Sequence, residues 1–139
     1  MQTLFHRIFA ALVWVLSSLA GAAPAGDASL PVLAASATED LRAKDGQRIV
    51  VYGQSARSGK SLGGINFVNF KDADFTLVTF KSELKLFRDG EPADVYDGKR
   101  LAVTGVVSLY KNKPQIRLTD PAQVRVLGEG EPWPAPLKF

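Results

Sequence analysis

The 139-residue chain contains no cysteine and only one histidine, His6. Without cysteine no disulfide can form, so the fold has to be stabilised by a buried core. Histidine is the usual base of Ser–His–Asp and Cys–His nucleophile systems, and the usual zinc sites need several histidine or cysteine ligands. The composition therefore argues against most common hydrolase mechanisms, and we predict no catalytic residue, metal site or other cofactor.

The N-terminal segment has the pattern of a secretory signal peptide. Arg7 is followed by an apolar run, Ile8 to Leu16, then by the pair Ser17-Ser18 and the small residues Ala20-Gly21-Ala22. This order is typical of a cleaved signal, and the run is shorter than the roughly 20 residues that cross a bilayer. We predict a signal peptide over residues 1–22 and a periplasmic or secreted mature protein without a membrane anchor. The alternative is a buried N-terminal helix or a retained anchor.

Cleavage after Ala22 would remove His6 and Arg7. The mature chain would keep 16 of the 17 basic residues and all 14 acidic ones, a net charge of about +2. This mild positive charge permits a polyanionic partner without requiring one.

The rest of the chain is predicted to form a leader, one domain and a tail. Residues 23–46 are rich in Ala, Pro and Ser and indicate a flexible leader that ends in a short helical turn. Residues 128–139 form a Pro- and Gly-rich tail. Between them, residues 47–127 alternate short β segments with turn residues. The predicted strands are Arg48–Gly53, Ile65–Phe70, Phe75–Phe80, Lys99–Tyr110 and Pro114–Leu118, and a short helix is predicted over Lys81–Phe87.

Five strands with one short helix between the third and the fourth is the order of an oligonucleotide/oligosaccharide-binding (OB) β-barrel. Gly53 and Gly105 lie within strand patterns, where a glycine usually marks a bulge or a sharp bend. A small barrel needs such bends to close. We therefore predict a mainly β fold, a five-stranded OB-type barrel, for residues 47–127.

Two groups of residues carry a family resemblance. The first is a glycine ending strand one, an arginine, a Gly-Lys pair, an aromatic residue on strand two and an aspartate turn: Gly53, Arg57, Gly59-Lys60, Phe67 and Asp72. The second is a strand-ending tyrosine followed by a proline-rich closing pattern: Tyr110, Pro114-x-Ile116-x-Leu118 and Pro121-x-x-Val124. They resemble the OB-fold nucleic-acid-binding module in the anticodon-binding domains of aspartyl- and lysyl-type tRNA synthetases, and the OB modules of exported bacterial proteins and nucleases.

The resemblance implies that Arg57 contacts a nucleic-acid backbone or base and that Phe67 offers a stacking face. Leu77 stands where the tRNA-reading enzymes carry a glutamine, and Ser55 stands where the family favours valine. Specific anticodon reading is therefore not expected.

The strand alternation and the loops extend this candidate site. If Val68 and Phe70 fill the barrel, Phe67 and Asn69 point outward; a register slip of one residue would reverse this. The loops between strands one and two and between strands four and five flank the binding face of OB barrels, and both carry cations. The predicted nucleic-acid-binding residues are Arg57, Lys60, Phe67, Asn69, Tyr110, Lys111, Lys113 and Arg117.

Two other motifs are interpreted as structural. Gly53 to Ser61 has five residues between its glycines where a phosphate-binding loop has four, and no helix pattern follows. Asp72-Ala73-Asp74 lacks the further ligands of a calcium loop and reads as a turn. We therefore predict an exported, monomeric binding protein for single-stranded DNA or RNA or another polyanion, without catalysis. The alternatives are an envelope protein- or glycan-interaction module and an accessory domain to an extracytoplasmic nuclease.

Overall fold

The computed structural model describes residues 30–136, which contain eight strands and several short helices. The strands are β1 Val32–Ala34, β2 Arg48–Gln54, β3 Gly59–Lys60, β4 Asn66–Asn69, β5 Thr76–Thr79, β6 Arg100–Tyr110, β7 Lys113–Arg117 and β8 Val124–Leu127. The α-helices are α1 Thr38–Arg42 and α2 Pro92–Val95, and two 3-10 helices cover Lys81–Leu86 and Pro121–Gln123. The predicted signal peptide, residues 23–29 of the predicted leader and residues 137–139 of the tail lie outside the described residues.

The strands form one mixed sheet in the order β1-β2-β6-β7-β5-β4-β3, with β8 paired to β6. The β1–β2 and β5–β7 pairs are parallel, and the other pairs are antiparallel. Each of the five predicted strands is present, with its ends within one residue of the prediction. The mainly β class is confirmed, while the described residues contain eight strands where five were predicted.

The segments that follow β2 and β4 are also joined. Ser55 and Phe70 form an isolated antiparallel bridge. The Ala56 amide donates to the Asn69 carbonyl at 2.9 Å, and the Lys71 amide donates to the Gln54 carbonyl at 2.8 Å. The chain just beyond β2 is thus hydrogen-bonded to the end of β4, two strands that stand apart in the sheet order.

The core follows from the alternation of apolar residues along the strands, because successive side chains of a strand point to opposite faces. Ile49 and Val51 of β2 are fully buried, as are Leu101, Val103 and Val107 of β6. These last three lie at alternate positions of one face of β6, with Gly105 between Val103 and Val107. Phe70 and Phe75 complete the core from the β4–β5 turn, with their ring centroids 5.2 Å apart.

The two strand glycines permit close packing, and neither marks a bulge, one of the two features expected at these positions. The β2–β6 register runs without interruption from Arg48 opposite Val106 to Gln54 opposite Arg100. A Cβ atom at Gly105 would lie 2.5 Å from the Ile116 side chain, and one at Gly53 would lie 2.9 Å from the Phe70 ring. The missing side chain therefore leaves room for a core residue of another strand.

The folded region begins before the predicted boundary at residue 47. Strand β1, in the segment predicted to be a flexible leader, pairs in parallel with β2. The helical turn predicted after it is present as α1, and its Leu41 is fully buried in the core. Residues 32–42 are ordered because they cover one edge of the sheet and one part of the core.

The connection between β5 and β6 contains two helical segments where one was predicted. The predicted helix is a 3-10 helix, Lys81–Leu86, and Phe87 after it is buried. The second, α2, lies in the stretch predicted to be a loop and starts with Pro92, whose fixed φ suits the first turn of a helix. A single turn is too short to show helical periodicity in sequence.

The C-terminal tail returns to the sheet at Trp133. The Trp133 ring lies 5.3 Å from the Tyr52 ring between centroids, and the Arg100 guanidinium lies 4.0 Å from the Trp133 centroid. This contact fixes the tail against β2 and β6. None of the helices between residues 30 and 136 has the length and apolar character needed to cross a bilayer.

Candidate nucleic-acid interface

One side of strands β4, β5 and β7 faces away from the core, and we call it the outer face. Along β4, Asn66 and Val68 are buried while Phe67 and Asn69 are partly exposed. Phe67 and Asn69 therefore belong to the outer face, as expected if Val68 and Phe70 fill the core. Lys113, Gln115 and Arg117 take the same side of β7, because Pro114 and Ile116 between them are buried.

A row of polar side chains crosses the outer face from strand to strand. Asn69 is opposite Thr76, Thr76 is opposite Gln115, and Gln115 is opposite Ser108 of β6. The Thr76 hydroxyl donates to Asn69 Oδ1 at 2.9 Å, and Gln115 Nε2 donates to Ser108 Oγ at 3.4 Å. The amide of Gln115 keeps hydrogen-bonding capacity for a ligand, because its only side-chain bond in the described residues is this long one.

The neighbouring row is less polar. Phe67 is opposite Val78, and Val78 is opposite Arg117. The outer face thus presents an aromatic ring and a guanidinium on either side of the buried Val78, next to a line of hydrogen-bonding groups. Such a surface offers stacking contacts and hydrogen bonds side by side.

Two adjoining cavities make a groove along this face. The first, about 130 Å³, lies between Phe67 and Tyr110 and includes Val78 and Gln115 in its lining. The second, about 310 Å³, extends from Arg57 to Asp74. Asn69, Thr76 and Lys113 line both cavities. We call the two together the groove; it joins the β2–β3 connection to the β6–β7 turn.

Arg57 is held at one end of the groove by its backbone. Its φ of 55° lies in the left-handed region, which non-glycine residues adopt only when other contacts fix it. The Asn69 side-chain amide donates to the Arg57 carbonyl at 2.7 Å, and the Asn69 carbonyl accepts from the Ala56 amide at 2.9 Å. Asn69 therefore positions the loop that carries Arg57, and it also lines both cavities of the groove.

The β6–β7 turn provides the other end of the groove. Lys111 and Asn112 have φ values of 50° and 64°, as in the type I′ turns that connect two-residue hairpins. Tyr110 is 61% exposed, and the Lys111 ammonium lies 5.5 Å from the Tyr110 ring centroid. An aromatic surface and two lysines, Lys111 and Lys113, are thus brought to the same end.

The cations predicted for the site fall into two classes. Among residues 30–136, Arg57, Lys111 and Lys113 form no ion pair, whereas Lys60 and Arg117 do. The carboxylate of Asp74 lines the groove beside Arg57 and Lys113 and offsets part of their charge. The three unpaired cations remain available to an anionic ligand.

Lys60 belongs to a different cluster from the one predicted. Its ammonium lies 2.8 Å from an Asp94 carboxylate oxygen and 3.3 Å from a Glu91 carboxylate oxygen, and it lines neither cavity. The hydrogen bond to Asp94 and the further bond to Glu91 raise the pKa of Lys60. Its position in the predicted loop between strands one and two suggested a ligand contact. Lys60 is instead part of β3, and its charge is balanced by Asp94 of α2 and by Glu91, which precedes α2.

Arg117 lies on the outer face but is paired with Glu83 of the first 3-10 helix. Arg117 Nε and Nη2 each lie 2.8 Å from Glu83 Oε1. The guanidinium carbon lies 4.4 Å from the Phe80 ring centroid. The hydrogen bond from Ser82 and the bonds from Arg117 lower the pKa of Glu83.

Sequence analysis missed five residues of this region: Thr76, Val78, Phe80, Ser108 and Gln115. Thr76, Val78 and Phe80 alternate along the third predicted strand, and Gln115 alternates with the buried Pro114 and Ile116. That alternation was visible in the sequence. What it could not supply was the parallel β5–β7 register, which brings Thr76 beside Gln115. Between residues 30 and 136, no three His, Cys, Asp or Glu side chains are close enough together to hold a metal ion.

Comparison with known proteins gives structural neighbours only. No family model matches the chain, and no curated protein matches it. Among solved structures, it is similar to the OBody AM1L10 bound to hen egg-white lysozyme, with 20% identity and a TM-score of 0.46 over 66% of this chain and 85% of that chain. It is also similar to asparaginyl-tRNA synthetase from Pyrococcus horikoshii complexed with asparaginyl-adenylate, with 13% identity and a TM-score of 0.46 over 62% of this chain and 20% of that chain.

Proposed function

We propose that this chain is an exported, monomeric OB-type binding protein that holds single-stranded nucleic acid in the groove and does not transform it. The observation that supports this most is the position of three cations that form no ion pair within residues 30–136. Arg57 and Lys113 line a groove that contains Phe67 and Tyr110, and Lys111 lies on the turn at its end. Single-strand binding needs this combination of cations for phosphates and aromatic faces for bases.

The proposal includes the closure of the sheet into a barrel. Five of the strands, β2, β4, β5, β6 and β7, have the order of an OB barrel, with β5 and β7 parallel. The Ser55–Phe70 bridge provides the remaining contact, between the first and second of these strands. In such a barrel the ligand face lies on the second and third strands, here β4 and β5, which carry the groove.

Export and the absence of catalysis are proposed from the sequence. The signal-peptide pattern of residues 1–22 supports a role outside the cytoplasm. The lack of cysteine and of any histidine beyond His6 supports binding without chemistry. A binding protein of this kind would meet nucleic acid in the periplasm or outside the cell.

The test is a fluorescence-anisotropy titration of the chain with a labelled single-stranded oligonucleotide at several salt concentrations. Single-strand binding weakens with salt by a slope of about −0.7 for each neutralised phosphate, so three groove cations predict a slope of about −2 in log K against log salt. Lys113→Ala should weaken binding and reduce the slope by about 0.7. Phe67→Ala should weaken binding at an unchanged slope, because stacking releases no counterions.

Lys85→Ala is the matched control for Lys113→Ala. Lys85 is exposed on the 3-10 helix Lys81–Leu86, lines neither cavity of the groove and forms no ion pair with any other residue between 30 and 136. Its substitution removes the same charge from a position outside the groove and should leave both affinity and slope unchanged. Equal effects of the two substitutions, or no binding at low salt, would refute the proposal.

A further inference from the structure

The pair formed by Arg117 and Glu83 ends the less polar row of the outer face. Two guanidinium nitrogens, Nε and Nη2, are directed at one carboxylate oxygen of Glu83, both at 2.8 Å. The Phe80 ring lies under the guanidinium, 4.4 Å from its central carbon to the ring centroid. The edge and one face of the guanidinium are therefore both in contact with protein groups.

The opposite face of the guanidinium is open. The Arg117 side chain is 52% exposed although Phe80 covers one side of it, while the Glu83 side chain is only 13% exposed. The charge of Arg117 is balanced by a neighbour that is itself largely buried. A phosphate would have to displace Glu83 to obtain the same hydrogen bonds.

We infer that Arg117 is a stacking platform for a nucleobase, held in place by Phe80 and Glu83, and that it is not a phosphate ligand. This inference rests on the proposed single-strand binding. The guanidinium is planar and delocalised, and unpaired bases stack on arginine planes as they do on aromatic rings. Glu83 and Phe80 act as positioning residues, because they fix the plane without meeting the ligand.

The platform also completes a pair of stacking surfaces. Phe67 and Arg117 lie in one row, separated by Val78 on the strand between them. Neighbouring strands are about 4.8 Å apart, so the two surfaces are roughly 10 Å apart across the face. The outer face therefore has one stacking surface on each side of Val78, Phe67 in the groove and Arg117 beside it, which suits two bases of one strand.

The experiment compares Arg117→Lys with Arg117→Ala in the oligonucleotide titration. Lysine keeps the positive charge but has no plane. Both variants should bind about 5- to 150-fold more weakly than wild type, the range measured for loss of one stacked base, with no change in the salt slope. Lys113→Ala serves as the phosphate-ligand reference, since it should reduce the slope by about 0.7.

Glu83→Ala distinguishes between two roles of Glu83. Glu83 either holds the guanidinium plane of Arg117 in position or keeps Arg117 from binding phosphate. If Glu83 positions the platform, its loss should weaken binding at a constant salt slope. Tighter binding with a steeper slope would show that Glu83 holds Arg117 away from phosphate, and would overturn the inference. Thermal unfolding of each variant, followed by circular dichroism, confirms that the comparison is made between folded proteins.

The inference and the proposed function fail in different ways. The platform would be overturned if Arg117→Lys bound as tightly as wild type, or if Arg117→Ala reduced the salt slope by about 0.7. Salt-dependent binding by the wild-type protein would still support the proposed function. Absence of wild-type binding at low salt would overturn both.

Discussion

Gly105 lies in β6 between β2 and β7, at a position where the core has no room for a side chain. It stands opposite Ile49 in the β2–β6 pair, and the Ile116 side chain of β7 fills the space where its Cβ would be. Ile116 is fully buried and packed on all sides, so it has no free volume into which to move. Because Gly105 has no side chain, β6 can lie close to β7 while the Ile116 side chain fills the space between them.

Gly105→Ala should lower the free energy of unfolding by about 1–3 kcal/mol, the usual cost of overpacking a core. The reason is the 2.5 Å separation between the added Cβ and Ile116 Cγ2. Urea unfolding followed by circular dichroism measures this change. Gly59→Ala is the matched control, because a Cβ there has nothing within 4 Å. Equal stability of the two variants would contradict the packing argument.

At the residue scale, sequence predicts which way side chains point better than which charges pair. Alternation put Phe67 and Asn69 on the same side of their strand, because the period of a strand is independent of tertiary contacts, and burial of Val68 makes that side the outer one. The partners of Lys60 and Arg117 could not be predicted in this way. Glu91 is 31 positions from Lys60, and Glu83 is 34 positions from Arg117. Such pairs depend on how the β5–β6 connection folds over the sheet.

Strand β1 and helix α1 show that the segment before β2 belongs to the fold. Beyond the pairing with β2, the Arg42 Nε donates to the Asn112 carbonyl at 2.8 Å and ties α1 to the β6–β7 turn. That turn carries Lys111 at one end of the groove. The segment that precedes the predicted barrel thus supports one of the proposed ligand-binding loops.

Leu41→Ala should lower the free energy of unfolding by about 2–5 kcal/mol, as expected for truncating a buried leucine. Leu41 is 0% exposed, whereas Leu62 is fully exposed in the connection between β3 and β4. Leu62→Ala makes the same chemical change and should leave stability unchanged. Thermal unfolding of both variants tests the prediction. A flexible leader would make the two substitutions equally harmless.

The elements that sequence missed are short. Strands β1, β3 and β8 have three, two and four residues, and α2 has four. Hydrophobic periodicity needs more positions than these to separate a strand or helix from a loop. Their structure depends on partners elsewhere in the chain: β1 on β2, β3 on β4, and α2 on Asn66, whose side chain accepts from the Ala93 amide at 2.9 Å.

Over the whole molecule, two glutamates link the β5–β6 connection to the sheet. Glu83 bonds to Arg117 of β7, and Glu91 accepts from the buried Asn66 of β4 at 2.9 Å and pairs with Lys60 of β3. The bond from Asn66, followed by that from Lys60, lowers the pKa of Glu91. The pKa of Glu83 is lowered as well, first by Ser82 and then by Arg117. Both contacts require the ionised carboxylate.

These shifts predict the direction in which stability changes with acid. A carboxylate whose pKa is lower in the folded protein than in the unfolded chain adds stability above the unfolded value, near 4.5 for both glutamates. As the pH falls below that value, the unfolded chain takes up protons first, and the contribution is lost as the pH passes through the folded pKa. Stability should therefore fall with decreasing pH in this range.

Glu91→Gln and Glu83→Gln test this origin of the acid sensitivity. Each variant should be less stable than wild type at pH 7, because its contact with Lys60 or Arg117 loses the negative charge. The difference from wild type should shrink as the pH is lowered through the range below about 4.5, where the wild-type carboxylates become protonated as well. Urea unfolding from pH 7 to pH 3 measures both quantities, with Glu129→Gln, on the exposed turn after β8, as the control for loss of one carboxylate. Glutamine does not titrate, so the difference in unfolding free energy between wild type and variant must change with pH if these carboxylates cause the acid sensitivity. A constant difference across this pH range would show that other groups cause it.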